Sequence, residues 1–596
     1  MNVITRMPVS DTDIAPAAAI AVPCSQSGTA RRLGNFSTFT AALDYAATGA
    51  AGYNIYSGRG QLLEVLSYAR LRQEAQDTAR RLLGLGLQQG ERVAIIADSD
   101  GDFARVFYAC QYAGLVAVPM PLPVAFGGRE SYIATLHGMI SSSESSVVIV
   151  PKLIAGWTEE IISPFDLRFG GSPEQLLALP VADHDLPDIS PDALSYLQFS
   201  SGSTRFPKGV CVTHRSGMAN AEAICRDGLK VRPTGDHCVS WLPLYHDMGL
   251  VGFFLTPMTC QLSVDLLPTR DFARRPHVWL DLISRNRGTL SYSPSFGFEL
   301  CSRRPPAPDL DLSHWRVAGI GGDMIRTQAL EEFAERFASA GFSEKAFVPS
   351  YGMAEATLAI SFAPLDTGLR TDTVDLRRLE NEGLAVASED VSIPLRTFVL
   401  CGQPLPNHQI EIRDSKGTAL PERKIGNIYV KGPSLMSGYY GLPEETKEAL
   451  DADKWLNTGD LGYMLDGQIV VTGRAKDLII INGRNIWPQD LEWSAEQEVQ
   501  GLRSRDVAVF SVDDEEQERI VALVQCRLST PERRDELKEE VTRTFRRLHG
   551  VDVDVVLVPP HSLPQTSSGK LTRAKARAML LAGDFATQVT TENVAA

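Results

Sequence analysis

The strongest restriction on the fold is a repeated change of period, from an amphipathic helix to a short and continuously apolar strand. In LRQEAQDTARRLLGLGL the residues Leu71, Ala75, Ala79, Leu82 and Leu83 fall on one helical face, and ERVAIIA after Gly90 reads as a buried strand. FARVFYACQYAGLVAVPM repeats the alternation, and SSVVIVP and TLSYSP supply further short strands. Strands apolar at every position must be covered on both faces, which predicts an α/β architecture with parallel sheet. The chain of 596 residues has room for several domains, or one large domain with subdomains, at about 150 residues each.

Past about residue 475 the pattern changes. DVAVFSV, RIVALVQCRL, the charged helix RRDELKEEVTRTFRRLHG and VDVDVVLVP predict a small α+β domain. Its boundary is expected in GRAKDLIIINGRNIWP, where two Gly-Arg pairs and a proline interrupt an apolar run. The expected divisions are a disordered lead-in over 1–35, a large domain over 36–475, a small domain over 476–583 and a tail over 584–596.

A net charge of −15 argues against a nucleic-acid-binding surface, so any phosphate site must be basic locally. The nine cysteines are scattered without C-x-x-C pairs, which predicts reduced thiols, no zinc and a cytoplasmic protein. No run approaches the roughly 18 apolar residues of a membrane span, and APAAAIAVP is a poor signal peptide.

LQFSSGSTRFPKGV (197–210) concentrates glycine, hydroxyl and basic residues in one loop. It is not a Walker loop, because Gly202 is followed at the required spacing by Pro207, Lys208 and Gly209. Its composition still suits a polyanion, with free backbone N–H groups, hydroxyl donors and one lysine. An ordinary Ser/Gly/Pro surface turn explains the loop equally well when it is taken alone. Further polar blocks fall at expected strand ends: WLPLYHDMGL (241–250), GIGGDMI (319–325), YGMAEAT (351–357), LNTGDLGY (456–463), VTGRAKD (471–477) and LPQTSSGKLTR (563–573). Each by itself is commonly a capped loop or a turn.

In this order and spacing the seven blocks resemble the adenylate-forming superfamily, which includes acyl-CoA synthetases, peptide-synthetase adenylation domains and firefly luciferase. The resemblance runs from about residue 36 to 580, and WLPLYHDMGL, YGMAEAT and GRNIWPQDLE are similar to the fatty acyl-AMP ligase branch. It implies a large adenylate-forming domain of parallel sheets, helices and a small β subdomain, followed by a small mobile C-terminal domain. It also implies ATP and Mg²⁺, a fatty acid substrate, and transfer of the acyl group to the phosphopantetheine of a holo acyl carrier protein.

The site residues follow from the same resemblance. Ser200, Ser201, Gly202, Ser203, Thr204 and Lys208 would grip the β- and γ-phosphates, with Thr204 also near the metal. Glu355 would ligate Mg²⁺, since that ion prefers oxygen ligands and bridges phosphates. Tyr351, followed by Gly352, Met353 and Ala354, would enclose the adenine with Gly321, Gly322 and Asp323. Asp460 would accept from the ribose hydroxyls and Arg474 would lie near ribose and phosphate, a buried structural ion pair being the rival reading of Arg474. His246, Asp247 and Gly249 would stand near the substrate carboxylate, beside GLVGFFLTPM and YSPSFGFEL as walls of an acyl tunnel. Lys570 would bridge carboxylate and α-phosphate, and Lys476 would mark the hinge.

Between YGMAEAT and CGQPLP the sheet pattern fails to resume, and residues 361–397 form an insertion of the kind seen in fatty acyl-AMP ligases. Val374, Leu376, Leu379, Leu384, Ala385 and Val386, spaced by charges, would let it dock, whereas a solvated loop is the plainer alternative. Two rival functions remain, a CoA ligase sharing the first step and a non-catalytic adenylate-binding relative. Retention of Lys208, Glu355, Asp460, Arg474 and Lys570 speaks against the second, because charges are costly to bury without use.

Overall fold

The computed structural model describes residues 30–123, 128–200, 207–481, 483–513, 518–566 and 569–585. Two large sheets dominate the first 400 residues. In the six-stranded sheet, Phe169–Gly171, Ser145–Ile149, Arg92–Ile96, Val116–Met120 and Leu194–Phe199 run parallel, and Gly209–Thr213 closes one edge antiparallel. In the nine-stranded sheet the six central strands are parallel, in the order Phe347–Gly352, Val317–Ile320, Leu290–Ser293, Cys238–Ser240, Val264–Leu266, Gly52–Tyr56. The expected α/β class is therefore observed.

The helix Gly101–Ala113 shows why. Asp100 caps it by accepting from the N–H of Phe103, and Gly114 ends it in the left-handed region at φ 67°. Nearly every residue between is buried, and Phe103, Phe107 and Tyr108 meet Phe254 in one aromatic cluster of the core.

A four-stranded antiparallel sheet follows, made of Gln409–Arg413, Gly426–Lys431, Leu456–Leu465 and Gln468–Arg474. Beyond the hairpin Ile479–Ile481/Arg484–Ile486, the strands Val507–Asp513, Glu518–Gln525 and Val553–Val558 form a sheet with its own core. Strand alternation explains its layers. Val507 and Val509 face Leu491, Val541 and Phe545 from the helices Pro488–Glu498 and Pro531–His549, while Ala508 and Phe510 face Ala576 of Arg573–Ala582.

Near both ends the described residues are packed where the sequence suggests loose segments. Residues 30–35 are not a free lead-in: the Arg31 side chain donates to the carbonyls of Pro233 (2.9 Å) and Cys260 (2.8 Å), and Arg32 stacks on Phe36. Phe585, expected in the tail, is buried beside Ala576.

The region 361–397 is also built rather than solvated. Thr371–Asp375 pairs with Leu395–Val399, the helix Leu376–Glu382 follows the first strand, and Val374, Leu376, Leu379 and Ala385 are buried against Tyr463, Val470 and Trp487. Leu384 and Val386 are half-buried. Among the described residues the eight cysteines are buried and free, and no helix is long and apolar enough to cross a membrane.

Candidate active site

Parallel strands aim their C-terminal ends at a ligand, and here those ends lead into the polar blocks. Cys238–Ser240 leads to His246 and Asp247, Val317–Ile320 to Gly321, Gly322 and Asp323, and Phe347–Gly352 to Met353, Ala354 and Glu355. These segments converge on a cavity of ≈ 440 Å³. Ser200 and Lys208 line it from the six-stranded sheet, Asp460 and Arg474 from the four-stranded sheet, and Lys570 from the small domain. The expected phosphate residues Ser201, Gly202, Ser203 and Thr204 lie outside the described residues.

Local backbone demands explain YGMAEAT. A β-carbon at Gly352 would lie 1.8 Å from the Leu358 carbonyl oxygen, so only glycine allows the chain to double back there. The 3-10 turn Ala354–Ala356 then ends at Thr357, held at φ 68°, and the N–H of Met436 donates to the Glu355 carbonyl at 2.8 Å. Glu355 is thereby buried, and its carboxylate accepts from the Tyr439 hydroxyl at 2.9 Å. Burial pushes this carboxyl above the usual range, and the negative charge of Asp247 adds to the shift.

Asp460 accepts from the Tyr351 hydroxyl at 2.8 Å and faces Arg474, whose Nε stands 3.4 Å from its other oxygen. Burial raises the Asp460 carboxyl, with Arg474, Tyr351 and Lys570 opposing. The Arg474 side chain pairs with Asp460 where it lines the cavity wall and is 48% exposed there. His246 Nδ1 stands 2.7 Å from Asp247 Oδ1. Burial would raise Asp247, but His246 and then Lys570 outweigh it and hold that carboxyl below the usual range. Lys570 thus faces two carboxylates from across the domain seam. Its loop is held by the N–H of Thr566 donating to the Lys570 carbonyl at 2.7 Å, and by the N–H of Gly569 donating to Thr566 at 2.8 Å.

Gly249 is the exception among the expected substrate residues. It does not line the cavity; a β-carbon there would lie 2.1 Å from the Pro243 carbonyl oxygen, so the glycine serves close packing of the His246 loop. Lys476 lies in the 3-10 turn Ala475–Asp477 at the cavity edge, and the next residue, Asp477, accepts from Arg573 at 2.7 Å.

One arm of the cavity is apolar, lined by Ile224, Leu229, Phe253, Leu358 and Phe362. Two π-helical turns, Ile224–Gly228 and Val251–Leu255, shape it, widening the helical path where side chains must leave space. Of the two apolar runs, Gly252 and Phe253, and Tyr292 and Phe296, reach the cavity, whereas Phe254, Leu255 and Phe298 are core.

Sequence reasoning missed Tyr439, which donates to Glu355 while its ring lies 4.8 Å from Lys208 Nζ. An aromatic pair flanked by Gly438 and Gly441 was the available signal. It also missed Arg396 of the insertion strand, which lines the cavity and pairs with Asp490 at 2.9 Å.

No group of three or more His, Cys, Asp or Glu among the described residues could hold a metal unaided. Glu355, a buried carboxylate on the cavity wall, has the oxygen chemistry to hold a magnesium ion delivered with phosphates.

The chain matches the family described as AMP-binding enzyme over residues 55–440. A Caulobacter vibrioides protein provisionally named an acyl-CoA synthetase is 54% identical over 93% of this chain and 97% of its own. The medium-chain-fatty-acid–[acyl-carrier-protein] ligase JamA of Moorena producens is 31% identical over 92% of this chain and 96% of its own. A structure from studies of fatty acyl-adenylate ligases of E. coli and L. pneumophila matches with a TM-score of 0.89 at 48% identity, covering 93% of this chain and 100% of that one.

Proposed function

The chain belongs to the AMP-binding enzymes, and from that premise we propose that it activates a fatty acid with ATP as a fatty acyl-adenylate, then passes the acyl group to the phosphopantetheine thiol of an acyl carrier protein. The observation that carries this reading is one cavity in which an apolar arm, a half-buried His246–Asp247 pair and Lys570 of the small domain converge.

In the first step a carboxylate oxygen of the acid attacks the α-phosphorus, the bond to the bridging oxygen breaks, and pyrophosphate leaves with the electron pair. Two anions must be brought together, so the work is positioning and charge neutralisation. The apolar arm orients the acid, with His246 beside its carboxylate. Lys208 neutralises the departing phosphates, its ammonium held near the Tyr439 ring, and Lys570 acts between carboxylate and α-phosphate. Tyr351 lies beside the nucleoside and Asp460 accepts from the ribose. When bound, Mg²⁺ supplies further neutralisation of the phosphates, with Glu355 as its protein ligand. In the second step the thiol sulfur attacks the acyl carbonyl and loses its proton, and AMP leaves.

The carrier thiol is favoured as acceptor by the docked insertion. Its Glu380 and Arg396 pair with Arg484 (2.7 Å) and Asp490 (2.9 Å), just beyond the hinge at Lys476, and so oppose a second pose of the small domain. The CoA reading is favoured by the name of the Caulobacter vibrioides relative. Intact-mass analysis of products from ATP and a panel of fatty acids, with CoA and separately with a holo carrier protein, decides between them. Acyl-CoA from the intact chain at rates matching the carrier reaction refutes the carrier assignment, and absence of acid-dependent pyrophosphate release refutes both.

A further inference from the structure

Arg505 lies in the loop between helix Pro488–Glu498 and strand Val507–Asp513, with φ at 70°. An arginine is held in that left-handed region only where its surroundings over-determine it. Its N–H donates to Glu496 Oε1 at 2.6 Å, and the other Glu496 oxygen accepts from Arg326 of the large domain at 2.9 Å. Its guanidinium carbon stands 4.2 Å from the centre of the Phe296 ring, on the large-domain helix Ser295–Ser302. Asp323 attracts it, Arg326 repels it, and Glu299 and Glu496 attract it further. On the other side is the lysine loop: a β-carbon at Gly569 would lie 3.1 Å from Arg505 Nη1. Gly569 itself has φ at 80°, so the loop turns beside Arg505 in the left-handed region that glycine suits.

We propose that Arg505 is a positioning residue for Lys570: stacked on Phe296 and standing beside Gly569 where no larger residue would fit unshifted, it fixes the lysine loop over the cavity only while the small domain sits against the large one. The proposal deepens the reading of Lys570 as the lysine of adenylate formation and rests on it. The planar guanidinium suits the task, since it can stack on a ring with one face and leave its in-plane N–H groups for neighbouring carboxylates and carbonyls, which an ammonium cannot do. The long lysine side chain has many rotamers, so a rigid neighbour of its backbone helps set how often the ammonium is in place. Arg505 meets the cavity edge through Phe296 and the lysine loop, so its effect should fall on the half-reaction that uses Lys570.

The variants Arg505→Gly and Arg505→Lys test this. Glycine removes the side chain while suiting the left-handed backbone, so the fold is retained and melting temperature should hold or rise. Arg505→Gly should lower kcat for fatty-acid-dependent pyrophosphate release about tenfold or more, with KM for ATP within about twofold. Arg505→Lys should recover only part of the loss, and transfer from separately supplied fatty acyl-adenylate to a holo carrier protein should match the wild type. Lys570→Ala is the control. If it loses pyrophosphate release while Arg505→Gly keeps wild-type kcat, Arg505 does not position Lys570. Equal losses in both half-reactions with a lowered melting temperature make Arg505 a structural residue and overturn the proposal. Wild-type kcat in Lys570→Ala overturns the reading of Lys570 itself, and the proposal with it.

Discussion

Replacing Asp460 by asparagine separates what this side chain does for a nucleotide from what it costs the fold. The carboxylate is buried, accepts from Tyr351 at 2.8 Å, and is offset by an Arg474 that is 48% exposed. Burial raises its pKa in the folded chain. A group raised in this way gives stability fully present below its unfolded value and lost as pH rises through the folded one, so above that window the ion destabilises the fold. Asparagine keeps an acceptor for Tyr351 and removes the charge, and the exposed Arg474 can rehydrate at little cost. The free Asp460→Asn protein should therefore melt higher than wild type at pH 8, with the difference closing toward pH 4. Nucleotide binding should move the other way. A hydrogen bond to a charged acceptor exceeds a neutral one by about 1 kcal/mol, so two ribose hydroxyls lose about 2 kcal/mol, or about thirtyfold in Kd. Calorimetric titration with AMP and thermal melts across pH read both quantities. An unchanged Kd refutes ribose contact, and a variant that melts lower at pH 8 refutes the buried-charge account.

Lys570→Ala should abolish fatty-acid-dependent pyrophosphate release while ATP still binds, because the lost charge acts on the developing bond; wild-type release in the variant refutes the role. Gly249→Ala should destabilise the chain by about 1–3 kcal/mol, since the new methyl meets backbone at 2.1 Å, and denaturant titration showing no loss refutes the packing role. Thr371 and Val399 are cross-strand partners, so residues 371–399 can be replaced by a two-glycine link between Arg370 and Leu400. That shortened chain should keep pyrophosphate release and gain acyl-CoA formation; a folded, adenylating product that makes none shows that the insertion is not the gate.

Most of the scaffold was legible because its signals are local. Helix periods, apolar strands and glycine punctuation lie within single elements, and the helix Gly101–Ala113 begins and ends where its capping residues stand. The polar blocks were legible as blocks, but their partnerships were not. Tyr439 meets Glu355 from 84 positions away, and Tyr351 meets Asp460 from 109 positions away. No local pattern encodes such pairs. Gly249 was misread for the same reason: in the sequence it stands two residues from Asp247, while in space it faces the backbone of Pro243.

The insertion shows how a stretch with weak local signals acquires structure. Val374, Leu376, Leu379 and Ala385 are too few to make a core, and they join one with Phe398, Leu400, Tyr463 and Val470 and with Trp487 past Lys476. Trp487 also packs on Gly473, where a β-carbon would lie 2.7 Å from its ring. Full burial of one large apolar side chain is worth about 1.5–3 kcal/mol. Arg396 adds a guanidinium lying 4.8 Å from the Trp487 ring and paired with Asp490, whose carboxyl burial pushes up to about 6. The segment 484–490 is thus held by the insertion, and rotation about Lys476 that carried Trp487 along would expose an indole and break a buried ion pair. A turn of the small domain about Lys476, if it occurs as proposed, would therefore have to break these contacts, none of which involves Lys570.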